Sequence, residues 1–132
     1  MRYLILILFV AASAIADAQS KWTEYSAEDG LIVSYKWSKI RPKKKDQTPE
    51  LQIMVKNSNA YTVNYTLAVE VFINGKLNLQ SPPATYCILP GKTKKGKING
   101  HYFRIEVPKD IIGDPKFTLE LGDLEVTQTN PC

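Results

Sequence analysis

His101 is the single histidine of this 132-residue chain, and Cys87 and Cys132 are its only cysteines. These side chains have the most chemistry to offer, and their number limits it. A Cys87 thiolate served by His101 would begin a thiol hydrolase, but such a site also needs a third group to orient the base. Cys132, the last residue, is placed for a staple and little else. An even count in an oxidising compartment argues instead for one Cys87–Cys132 bridge. A metal centre would have to draw on Asp29, Asp110, Asp114 and Asp123, which fall in separate turns without ligand spacing, where aspartates serve the turns themselves. Glu70, Glu106 and Glu120 stand on outward strand phases, unlike the facing carboxylates of a glycosidase. Gly91-Lys92-Thr93 ends like a phosphate-binding loop, but Tyr86 occupies the position of the first glycine and no helix follows. The sequence therefore predicts no catalytic residue, no metal site and no cofactor, and a protein that is not an enzyme.

Positive charge is the uneven feature. Lys39, Arg41, Lys43, Lys44 and Lys45 crowd one loop, and Lys92, Lys94, Lys95 and Lys97 another. If consecutive strands simply run up and down, the loop at 41–49, the turn at 74–75 and the turn at 90–92 share one end, with Lys76 beside them. Arg41, Lys43, Lys44, Lys45, Lys92, Lys94 and Lys95 would then form a cationic surface able to attract an anionic glycan or lipid headgroup. The plainer reading is that lysines solubilise loops and guard sheet edges. It is favoured by a net charge of only +4 and by aromatics that fall mainly on inward phases.

Those loops have to be held by something, and the period of the chain says what. Ahead of the fold, Arg2, the apolar run Leu4–Ala12 and Ala16-Asp17-Ala18 make the three parts of a secretory signal peptide. The apolar run is too short to span a membrane, and no cysteine near the cut could carry a lipid. The expected division is a signal peptide over 1–18 and a single domain over 19–132, released as a secreted or periplasmic protein that is not a lipoprotein. Losing Arg2 and Asp17 leaves the net charge unchanged.

Beyond that point the apolar period is two almost everywhere. Leu31, Val33, Tyr35 and Trp37 alternate with Ile32, Ser34, Lys36 and Ser38, and Leu51, Ile53 and Val55 with Gln52, Met54 and Lys56. The longest run puts Tyr61, Val63, Tyr65, Leu67, Val69 and Val71 on one face and closes at Asn74-Gly75, the favoured centre of a two-residue hairpin. Lys76–Leu79 returns as its partner. Asn57–Ala60 reads as a tight turn. Phe103, Ile105 and Val107 alternate, then Phe117, Leu119 and Leu121, with a phase slip at Gly122-Asp123 that marks a bulge or turn. Prolines sit between the runs, and nothing longer than a turn reads as helix. The fold class expected is all-β, an antiparallel β-sandwich of about seven strands. Asn64-Tyr65-Thr66 matches an N-glycosylation acceptor, although it lies mid-strand rather than in a loop.

The stretch Glu50–Asn57, a strand ending in Lys-Asn, leads into the long strand ending Phe72-Ile73-Asn74-Gly75 and later into Ile88-Leu89-Pro90-Gly91-Lys92-Thr93. Over residues 31–107 this resembles the small secreted immunoglobulin-like modules of the bacterial CARDB kind and related exported domains. The resemblance implies an immunoglobulin-like sandwich with an extracellular habit and brings no catalytic residues. The Cys87 and Cys132 pair departs from the usual pattern of that family. The function expected is a non-catalytic binding module for a protein or glycan. A polyanion binder and an inhibitor of a secreted hydrolase are the alternatives. No specific nucleic-acid recognition and no transmembrane segment are expected.

Overall fold

Alternation alone builds the frame. In the computed structural model, which describes residues 21–38, 47–122, 124–129 and 131–132, ten strands form two antiparallel sheets around one core. They are β1 (Thr23–Glu28), β2 (Leu31–Trp37), β3 (Glu50–Asn57), β4 (Val63–Ile73), β5 (Lys76–Gln80), β6 (Ala84–Ile88), β7 (Thr93–Lys95), β8 (Tyr102–Arg104), β9 (Phe117–Gly122) and β10 (Val126–Gln128). The first sheet runs β1-β2-β3, with β7 and β8 both paired to β3. In the second, β4 is central, with β5 and β6 pairing along its length and β9 and β10 doing the same.

The ten strands occupy seven lanes. β6 pairs with the first half of β4 (Val63↔Ile88) and β5 with the second (Glu70↔Gln80), so the two are collinear. Ser81-Pro82-Pro83 interrupts this lane without reversing it: Ser81 donates its backbone N–H to the Val69 carbonyl and accepts the Val69 N–H on its hydroxyl at 2.7 Å. In the same way β7 and β8 share one lane along β3, and β9 and β10 share another along β4. The last break falls at the expected phase slip. β9 stops at Gly122, and Leu124 and Val126 return to the core beyond it.

The inward phases are filled as the period predicts. Leu31, Val33 and Trp37 meet Leu51, Ile53 and Val55 from the first sheet and Val63, Tyr65, Leu67, Val69 and Val71 from the second. Tyr61 differs from expectation. It is 42% exposed and precedes β4, because the chain is still turning there under the control of Asn57. That side chain is fully buried. Its amide donates to the carbonyls of Tyr61 (2.9 Å), Ile88 (3.2 Å) and Leu89 (3.3 Å) and accepts from the Asn59 N–H. One residue thus satisfies the backbone where the chain crosses between sheets.

The Asn74-Gly75 hairpin forms as its residues dictate, with φ of 53° and 75°. Asp29-Gly30 makes a second turn of the same kind between β1 and β2, with φ of 53° and 73°. A Cβ on Gly30 would collide with the Asn59 side chain, whose amide donates to the Asp29 carbonyl at 2.9 Å. Two turns from different parts of the chain therefore lock together at the Asn57 end. Among the described residues no helix is long and apolar enough to cross a membrane.

Candidate functional site

The residues singled out from sequence scatter. Arg41, Lys43, Lys44 and Lys45 lie outside the described residues, as do Lys39 and Asp123. The roots of their loop are well placed: Ser38 donates its backbone N–H to the Glu50 carbonyl at 2.8 Å, at the Trp37 end of the sandwich. Lys92 sits at the opposite end, where its carbonyl accepts from Asn57 N–H at 3.0 Å. The described roots of that loop and the turn at 90–92 therefore stand at opposite ends of β3, contrary to the premise of a shared pole. A shared pole would need the chain to reverse between Lys76–Leu79 and the turn at 90–92, whereas β5 and β6 run straight on through Ser81–Pro83. The turn at 74–75 is the one that shares the Trp37 end, since Ile73 pairs with Phe117, whose ring meets Trp37 edge-on at 5.6 Å.

Cys87 and Cys132, 45 positions apart in sequence, are joined, with Cα atoms 5.7 Å apart. The thiol that a hydrolase would need is engaged. His101 is committed as well. It is fully buried, its Nδ1 lies 2.6 Å from the Asn99 carbonyl and its Nε2 2.7 Å from the Tyr65 hydroxyl. The carbonyl can only accept, so Nδ1 carries the proton and Nε2 receives the one from Tyr65. Burial holds the imidazole below its ordinary pKa, against the opposing pull of the Asn99 carbonyl, and the Lys94 charge lowers it further. Tyr86 packs on it at 4.4 Å between ring centroids. Among the described residues no three His, Cys, Asp or Glu side chains gather where a metal could sit.

The arrangement that does come together is the outer face of the first sheet. Cross-strand register sets its side chains in rows. Lys36 stands opposite Gln52, and Gln52 opposite Tyr102. Trp22, one step before β1, completes this row, with the Lys36 ammonium 4.8 Å from the centre of its indole ring. The row therefore reads ring, cation, amide, ring across four lanes, or about 14 Å at the usual strand spacing. The next row is Glu24, Ser34, Met54 and Lys95, and beyond it Ala27, Ile32, Lys56 and Thr93. On the other side Glu50 faces Arg104. Glu50 also takes a hydrogen bond from Tyr102, which holds that phenol above its ordinary pKa.

A strap stands over this face. Gly96 and Gly100, with φ of 77° and 72°, bracket a single turn at Lys97–Asn99 and lift it off the sheet. Asn99 ties back to the Lys95 carbonyl at 2.9 Å and His101 to the Gly96 carbonyl at 3.0 Å. The strap presents Lys97, which lies 5.4 Å over the Tyr102 ring, and Ile98, which is 100% exposed. Between strap and sheet lies a trough of about 560 Å³ lined by Trp22, Lys36, Gln52, Thr93, Lys95 and the strap itself. No family model, curated protein or solved structure matches the chain.

The face thus gathers Lys36, Lys56, Lys95, Lys97 and Arg104 against the carboxylates of Glu24 and Glu50. Of the described basic residues singled out from sequence, Lys95 and Lys97 belong to it. Lys94 takes the inward phase opposite Val55 and is half-buried. Lys36, Gln52 and Arg104 could have been found from their outward strand phase. Trp22 and Tyr102 could not be placed among the lysines until register was known.

Proposed function

We propose that this chain is an exported, non-catalytic binding module that engages a polyanion on the outer face of its first sheet. The observation that carries the reading is the row Trp22–Lys36–Gln52–Tyr102 beneath the Lys97–Asn99 strap, with Lys56, Lys95 and Arg104 around it. Cations gathered on one surface raise the local concentration of anions and gain from counterion release. A strap hydrogen-bonded at both ends loses little freedom on binding, so less affinity is spent on ordering it. Export rests on the pattern in residues 1–18 and on the disulfide, a bond that persists in oxidising compartments. The immunoglobulin-like subtype and the likeness to CARDB-type modules are part of this reading. The cross-pairings of β3 with β7/β8 and of β4 with β9/β10 support the subtype, and the likeness to CARDB-type modules rests on the sequence over residues 31–107 alone.

The test is retention on immobilised heparin and polyphosphate as salt is raised. Wild type should elute later than Lys36→Glu/Lys95→Glu, and the log–log salt slope should fall by about two. Lys76→Glu/Lys116→Glu changes net charge equally but beside the Asn74-Gly75 turn of the second sheet, where the Lys116 carbonyl accepts from Asn74 N–H, and should elute close to wild type. Equal losses from both double variants would reduce the effect to net charge and end the reading.

A further inference from the structure

The polyanion reading leaves open what the anions are carried on, and the trough itself bears on that. Lysines alone would serve any anion. Here, however, the cations alternate with groups of a different kind. The Trp22 indole lies beside the Lys36 ammonium, the Gln52 amide follows in the same row, and the Tyr102 ring ends it under Lys97. Across the trough from the sheet stands Ile98, fully exposed on a turn bracketed by two glycines of positive φ. Thr93 and Asn99 add a hydroxyl and an amide to the lining.

Such a surface suits a chain whose repeating unit has an apolar ring face, several hydroxyls and one anionic group. We infer that the ligand is an acidic oligosaccharide lying in the trough. Its sugar rings pack their C–H faces against Trp22 and Ile98, its hydroxyls meet Gln52, Thr93 and Asn99, and its carboxylate or sulfate groups meet Lys36, Lys95 and Lys97. This rests on the polyanion reading and narrows it. Inorganic polyphosphate offers charge without ring faces and leaves Trp22, Ile98 and Gln52 unused. A planar lipid surface would touch the raised Ile98 and leave the recessed Gln52 unmet.

The experiment compares binding of the full chain to three probes by isothermal titration at fixed salt: an oligogalacturonate, a heparin-derived oligosaccharide, and linear polyphosphate of matched charge. At least one sugar should bind more tightly than polyphosphate. Trp22→Ala should weaken that sugar about tenfold, in keeping with the loss of an aromatic anchor. It should leave polyphosphate within about twofold. Trp22→Phe, which keeps a ring, should restore most of the difference, and thermal unfolding of both variants shows whether the fold is intact. Gln52→Leu, alike in size but lacking the amide, should likewise weaken the sugar alone. If all three probes bind alike and Trp22→Ala changes none of them, the sugar inference fails and the polyanion reading stands. Tightest binding to polyphosphate overturns the inference in the same way. If no probe binds, the polyanion reading fails first and takes this one with it.

Discussion

The outer faces of the two sheets stand on the same core and share the same pleat, yet they display opposite chemistry. On the first sheet the rows contain Lys36, Lys56, Lys95 and Arg104, with two rings among them. On the second, the paired outward residues are Thr127, Asn64 and Cys87, then Thr66 with Thr85, Ala68 with Gly122, Glu120 with Glu70 and Gln80, and Thr118 with Phe72 and Leu77. No lysine or arginine appears among those pairs. Glu70 and Glu120 even stand directly opposite each other, an arrangement that costs a little stability. The modest net charge of +4 therefore conceals a molecule with two electrically distinct sides. Folding does not demand this sorting, because the inward residues of both sheets are alike. The difference teaches that the inward phases hold the sandwich together and the outward ones decide what it meets.

If that division holds, substitutions under either face should be costly and substitutions on either face should not. The largest effect is expected inside. Val69→Asp puts a carboxylate where no solvent reaches, and urea unfolding should show a loss of about 4 kcal/mol or more, or no folded protein at all. Thr66→Asp, one face away, should stay within about 1 kcal/mol of wild type. Similar losses from both would mean that the faces are assigned the wrong way round. Reducing Cys87–Cys132 removes the tie between β6 and the end of the β9/β10 lane. Chain-entropy reasoning for this loop gives up to about 4 kcal/mol, read as a lower midpoint in urea after reduction and alkylation. Asn57→Ala leaves the Tyr61, Ile88 and Leu89 carbonyls without their donor and should cost about 2 kcal/mol.

Both sheets also meet at His101, which hangs the strap of the first sheet on Tyr65 of the second. Its pKa is lowered by burial. Below the ordinary histidine range the unfolded chain therefore takes up a proton that the folded chain resists, and stability falls as the pH drops from about 6.5. With a single histidine in the chain, the slope between pH 7 and 5.5 reads this residue almost alone. His101→Gln should flatten it, as measured by unfolding across that interval; an unchanged slope would place the sensitivity elsewhere. The smallest effect is expected on the second face. Thr85→Lys should leave stability within about 0.5 kcal/mol and retention on the anionic matrices unchanged.

How much of this was written legibly in the chain differs between the two tasks. The strands β2, β3 and β4 were readable because each buries one side chain in two, and the Asn74-Gly75 turn because its backbone needs residues that accept positive φ. β1 went unread. Its register shifts between Glu24 and Ser26, which breaks the alternation, although Asp29-Gly30 signalled the hairpin behind it. The straight passage from β5 to β6 at Ser81-Pro82-Pro83 was illegible, since a proline pair that halts a strand looks the same as one that reverses it until the partner strand is known. The binding face was illegible for a related reason. Trp22, Lys36, Gln52 and Tyr102 are spread over 81 positions, and only the register of three strand pairs sets them in a row. A cluster contiguous in sequence, such as Lys43–Lys45, is easy to notice and says nothing about what lies beside it in space.

The broken lanes carry a consequence for how such a domain can change. β7 and β8 each take their alignment from β3, through Met54↔Lys95 on one side and Gln52↔Tyr102 on the other. Neither depends on the length or sequence of the stretch between them. Residues 96–100 are therefore free of the register of the lane, and are tied to the rest of the fold through the Asn99 and Gly96 carbonyls on His101 and the Gly100 carbonyl on Tyr86. The interval can lengthen, shorten or change composition while both halves stay in register, provided His101 keeps its place. A scaffold of this build can exchange one recognition loop for another without renegotiating its core, so relatives with the same lanes should diverge in ligand first across this interval.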